Sequence, residues 1–162
     1  MKKIFILIIA LSFIACNDGD FEVPAFEFTE TINTCNNTFF YKTSENETEV
    51  LYLTLKETQF TTTSGEKSIS ISSSSPVTYR IFDDKIGPDY FCQIVPPTAP
   101  TVLKELVAED GEIIIITSEI LNSNGEVTGY SYDITFKNVL FMDDSEKVYF
   151  ETLNFGNITV NN

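Results

Sequence analysis

The side chains able to do chemistry in this chain are three cysteines and 24 Asp and Glu, with no histidine among 162 residues. Lack of histidine removes the usual general base near neutral pH, the usual activator of a nucleophile and the commonest metal ligand. Ser-His-Asp triads, Cys-His pairs and His-based zinc sites are therefore excluded. The chemistry left open is carboxylate-based, such as glycoside cleavage by two acids held at a fixed separation. With so many acids some pair always falls at a suitable distance, so their abundance has no diagnostic weight. Acidic turns at Asp83-Asp84, Glu109-Asp110 and Asp143-Asp144 offer oxygen ligands of the kind calcium takes from loops. No Asp-x-Asp-x-Asp-Gly loop is present, so Asp83, Asp84, Asp143 and Asp144 stand as weak calcium candidates beside the simpler reading of solvated turns. No cofactor is expected.

Cys16 is the cysteine with the most informative surroundings. Met1-Lys2-Lys3 gives a positive start, Ile4 to Ile14 is an uncharged and almost wholly apolar run, and Ala15 is a small residue directly before Cys16. A membrane-spanning helix needs about 20 apolar residues. This run is shorter and gives way to the turn-like, charged Asn17-Asp18-Gly19-Asp20, so residues 1–15 read as a removed signal. Phe13-Ile14-Ala15-Cys16 resembles the lipobox of bacterial lipoproteins, with Phe13 where Leu is usual. That resemblance covers only the first 16 residues. It implies that the Cys16 sulfur carries a diacylglyceryl group, a two-chain anchor of the lasting kind. Residues 16–23 then form a flexible acidic tether and residues 24–162 one domain. Having Asn17 rather than Asp implies, on the same resemblance, the outer membrane rather than retention at the inner one. Asp18, Asp20 and Glu22 are similar to the acidic export signal of surface-displayed lipoproteins, although a plain solvated tether would have the same composition. The expected address is the outer membrane, on its periplasmic or cell-surface face, with the surface slightly favoured.

Cys35 and Cys92 are left over in the mature chain. An even remainder in an oxidising compartment reads as a disulfide. A redox or nucleophilic thiol has no Cys-x-x-Cys and no histidine to support it. Net charge at pH 7 is −14, and loss of Lys2 and Lys3 with the signal makes it −16. Nucleic acid and anionic lipid head groups are repelled by such a surface, so neither is an expected partner.

Strand signals run through the mature chain. Tyr130, Tyr132, Ile134 and Phe136 occupy every second position and predict a half-buried strand. Ile113 to Ile116 is a β-branched run, and Asn124-Gly125 between the two suits a tight hairpin. A two-residue turn there sets Ile115 opposite Ile134 and Ile113 opposite Phe136, and a four-residue loop would keep the same faces by shifting the pairing two positions. Further strands are predicted around Phe39–Tyr41, Leu51-Leu53-Leu55, Ile69-Ile71, Val77-Tyr79-Ile81, Tyr90–Ile94 and Val148-Phe150. Ser72–Ser75 before Pro76 reads as a polar loop, and Pro96-Pro97-Thr98-Ala99-Pro100 as a stiff extended crossover between sheets.

Eight to ten short strands with frequent turns predict an all-β fold, an antiparallel β-sandwich, with a small closed barrel as the alternative. The functional expectation is a non-catalytic binding or structural protein held on the outer envelope by its lipid, with a glycan or an envelope protein as partner. Alternatives are a carboxylate-based glycan hydrolase and a subunit of an envelope complex. A concave aromatic patch would favour ligand binding, and two converging carboxylates in a cleft would favour hydrolysis.

Overall fold

A computed structural model describes residues 26–161, apart from Pro96 and residues 143–146. The expected signal peptide, Cys16, its tether, and Asp143 and Asp144 lie outside the described residues. Eight strands follow one another: β1 (Asn33–Cys35), β2 (Phe39–Thr43), β3 (Glu49–Thr54), β4 (Gly65–Ser70), β5 (Val77–Phe82), β6 (Val102–Leu121), β7 (Val127–Met142) and β8 (Lys147–Asn161). A 3₁₀ turn at Glu57–Gln59 separates β3 from β4. All pairings are antiparallel and belong to one sheet, in the order β1-β2-β3-β5-β6-β7-β8, with β4 joined to β6.

The all-β antiparallel expectation is borne out, but three strands are long. β6 spans 20 residues and has two neighbours along one flank, β5 beside Val102–Val107 and β4 beside Glu112–Thr117. Between these stretches the pairing of β6 with β7 shifts register twice, around Asp110, and Gly111 adopts φ +125°. A Cβ on Gly111 would lie 2.8 Å from the Val139 Cα, so both the dihedral and the close approach need glycine. Asn138, at the same level of β7, also has positive φ. These irregularities bend the long strands and curl the sheet into a half-barrel.

The concave face carries the main core. Leu51, Leu53, Leu55, Val77, Tyr79, Leu106, Ile113, Ile115, Ile134 and Phe136 are buried there, as their period of two predicts. Each such side chain contributes roughly 1.5–3 kcal/mol by leaving water. Tyr79 stacks on Phe26 at 4.3 Å between centroids and donates its hydroxyl to Glu49 Oε2 at 2.7 Å. Burial, reinforced by that carboxylate, pushes the Tyr79 hydroxyl far above the ordinary phenol range.

The opposite face of β2, β3 and β5 has a smaller core of Tyr41, Val50, Phe82 and Ile86, with Phe39, Tyr52 and Phe91 packed against it. Its lid is the long connection from β5 to β6, residues 83–101. Two expectations are corrected here. Tyr90–Ile94 forms no strand: Phe91 leaves the backbone to pack on Phe39 and Tyr41, each at 5.1 Å, and ring burial outweighs β-propensity. The proline segment is no crossover between sheets, because β5 and β6 are direct neighbours in the sheet.

The hairpin between β6 and β7 has the expected partners, Ile113 with Phe136 and Ile115 with Ile134. Its turn differs. Asn122 N donates to Glu126 O at 2.9 Å and Gly125 takes φ +81°, giving a three-residue loop in place of a two-residue turn. A register shift between Ile120 and Leu121 then restores the alignment and keeps the apolar faces in phase.

Candidate functional site

Among the described residues β4 has a free edge on its side away from β6, and the curled sheet ends in two more, β1 at one end and β8 at the other. The last two meet at one point. A Cβ on Gly156 of β8 would come 3.1 Å from Ile32 Cδ1, just before β1, and Gly156 has φ +122°. Farther along, the edges enclose a groove of about 460 Å³ lined by Thr34 and Asn37 on one side and Ile158, Thr159, Val160 and Asn161 on the other. Phe40, Phe60, Tyr132 and Glu57 complete the lining.

Strand period places Phe40 of β2 and Tyr132 of β7 on the concave face. Phe60 arrives differently, at the end of the 3₁₀ turn. Gln59 Oε1 accepts from Lys56 N at 2.6 Å, Gln59 Nε2 donates to Ser75 Oγ at 2.8 Å, and Lys67 Nζ donates to Gln59 O at 3.0 Å. Thr61 and Thr117 hydroxyls, 3.0 Å apart, fix the chain just beyond. So braced, Phe60 meets Phe40 edge-on at 5.6 Å and Tyr132 edge-on at 4.9 Å, bridging two walls of the half-barrel.

Two polar side chains in this region have no polar partner among the described residues. Tyr132 is 4% exposed, and its hydroxyl makes no hydrogen bond with any described residue. No described buried side-chain N or O atom is sealed from solvent without a partner, so this hydroxyl reaches solvent where its residue lines the groove. Burial raises its pKa, with a smaller push from Tyr130. Lys42, two residues beyond Phe40 on β2, is 6% exposed and has neither ion pair nor hydrogen bond among the described residues. Its Nζ lies 3.8 Å from where a Gly156 Cβ would sit, beside the point where the edges meet. Both side chains are thus nearly covered while their polar ends stay within reach of solvent, Tyr132 at the groove and Lys42 beside the seam.

The residues singled out in the sequence are mostly elsewhere. Cys35 and Cys92 are bonded, with Cα atoms 5.3 Å apart, and the bridge fixes the β5–β6 connection to β1. Asp83 and Asp84 border a more open hollow of about 540 Å³ with Lys85, Ala99 and Pro100. Asp83 is already occupied: Thr101 donates to its carboxylate through N at 2.8 Å and through its hydroxyl. These bonds, the hydroxyl one foremost, hold the Asp83 carboxyl below its ordinary pKa. Asp110 accepts from Gly111 N at 2.8 Å in the bend of β6. Among the described residues no three Asp, Glu or Cys side chains gather into a metal-binding group. The groove has one acid in its lining, Glu57, so the pair that glycoside cleavage needs is not assembled there.

Sequence reasoning missed Phe60 and Lys42. Phe60 follows a polar stretch without strand period, and Lys42 continues the phase of Phe40 as a charge on a core face, which was the one signal available. Compared with protein-family models, curated proteins and solved structures, the chain matches none of them.

Proposed function

We propose that this protein is a non-catalytic binding module of the outer envelope, tethered by lipid on Cys16, that holds its ligand in the groove between β1 and β8. The observation that carries the reading is the concave, largely apolar groove, into which the Tyr132 hydroxyl opens with no hydrogen-bond partner among the described residues. Concave apolar pockets with a few convergent polar groups are the usual form of a ligand site. Support for the tether is the order of residues up to Cys16 and its resemblance to a lipobox. A flexible leader of the expected kind would hold the acidic domain clear of anionic head groups.

The address and the binding reading are tested separately. Expressed in a two-membrane bacterium, the native chain is expected to incorporate labelled fatty acid and sediment with membranes, while Cys16→Ala incorporates none. Equal labelling of both forms would end the lipid assignment. Protease added to intact cells is expected to digest the domain, and protection until lysis would place it on the periplasmic face instead. Affinity capture from envelopes with the native chain and with Phe60→Ala addresses the groove: the same material retained by both would remove the groove from the function.

A further inference from the structure

We infer that the groove's ligand is an extended peptide segment, basic and apolar in alternation, that adds as a strand to the free edge of β8 at Ile158–Asn161. This rests on the groove being the ligand site and names the class of partner it fits. Three observations argue for a polypeptide. First, the groove wall is itself a strand edge, and an unpaired edge offers a row of N–H and C=O groups that another strand can match. Second, a strand laid there sends alternate side chains into the groove, where Phe40 and Phe60 offer them an apolar floor. Third, the ring geometry is wrong for a sugar. A carbohydrate stacks on an open ring face, whereas Phe40 and Tyr132 are only 3% and 4% exposed, each packed against Phe60, so neither presents an open face.

Charge selects among peptides. Glu57 is the one charged residue in the lining, and the whole chain carries −14. A basic segment is drawn to such a surface and an acidic one is repelled.

Nuclear magnetic resonance on the purified full chain tests the inference, with a pool of short synthetic peptides alternating valine, isoleucine or threonine with lysine or arginine. Binding is expected to shift the amide signals of Ile158, Thr159, Val160 and Asn161. The same pool with alternate backbone amides N-methylated should bind at least tenfold more weakly. Phe60→Ala gives a second, independent loss. If the methylated pool binds as well as its parent, or if pools with glutamate in place of the basic residues bind better, strand addition by a basic segment is wrong. If soluble oligosaccharides shift the groove signals and no peptide does, the inference falls while the groove stands as a ligand site. If neither class moves them, both readings fall.

Discussion

Asp83 and Thr101 show how much a single pair of residues can settle in this protein. Asp83 N donates to Thr101 O at 3.0 Å and Thr101 returns two donors to the carboxylate, closing the neck of the β5–β6 connection. Because these bonds favour the ionised form, the folded pKa of Asp83 lies below its unfolded one. The stability it contributes is therefore full above the ordinary carboxylate range and is lost as pH falls through that range to the lowered value. Thr101→Val removes the hydroxyl donor, and a carboxyl-detected titration is expected to show the Asp83 pKa moving up toward normal; an unmoved value would mean that the hydroxyl plays no part. An acid read from the sequence as a possible calcium ligand is thus a clasp on a loop. Nothing in its local sequence announced this, since its partner lies 18 residues away.

At the scale of elements, period and turn chemistry made most of the strands legible. Leu51, Leu53 and Leu55 face the core as their spacing requires, and the β6–β7 hairpin keeps the register that its apolar pattern demands even though its turn has another length. Illegible were the features set by contacts between distant segments. Tyr90–Ile94 has strand composition, but Phe91 is drawn over Phe39 and Tyr41 and Tyr90 over Phe82, while Ile94 stands in solvent. Of the 20-residue β6 only Ile113–Ile116 was legible, because Glu109-Asp110 looks like an ordinary turn and hides the strand that runs through it. The bend there gives a direct test. Gly111→Ala must place a Cβ 2.8 Å from the Val139 backbone at φ +125°, whereas Gly87→Ala meets nothing within 4 Å. A positive φ and a backbone clash together cost about 1–3 kcal/mol. Urea unfolding is expected to show that loss for Gly111→Ala and almost none for Gly87→Ala; equal midpoints would mean the bend tolerates a side chain.

For the molecule as a whole, one sheet encloses the core on its concave side, and a covalent link holds the lid on its convex side. Cys35 and Cys92 are 57 residues apart, and closing a loop of that length stabilises the fold by about 4 kcal/mol in the chain-entropy account. Replacing both by serine is expected to lower the unfolding midpoint by that order. The change should fall first on the lid, with Ile86 and Phe91 amides exchanging sooner than those of Ile115 and Ile134 in the main core. Uniform acceleration across both cores would show that lid and barrel unfold as one. The point where Ile32 meets Gly156 has a different consequence, for the order of assembly. β6, β7 and β8 are successive in the chain and pair with their neighbours locally, but this seam joins opposite ends of the described sequence, and contacts across so long a loop are slow to form. Folding would then finish where the groove is made, and a ligand seated there would act as a latch on the last step, slowing unfolding much more than it hastens folding.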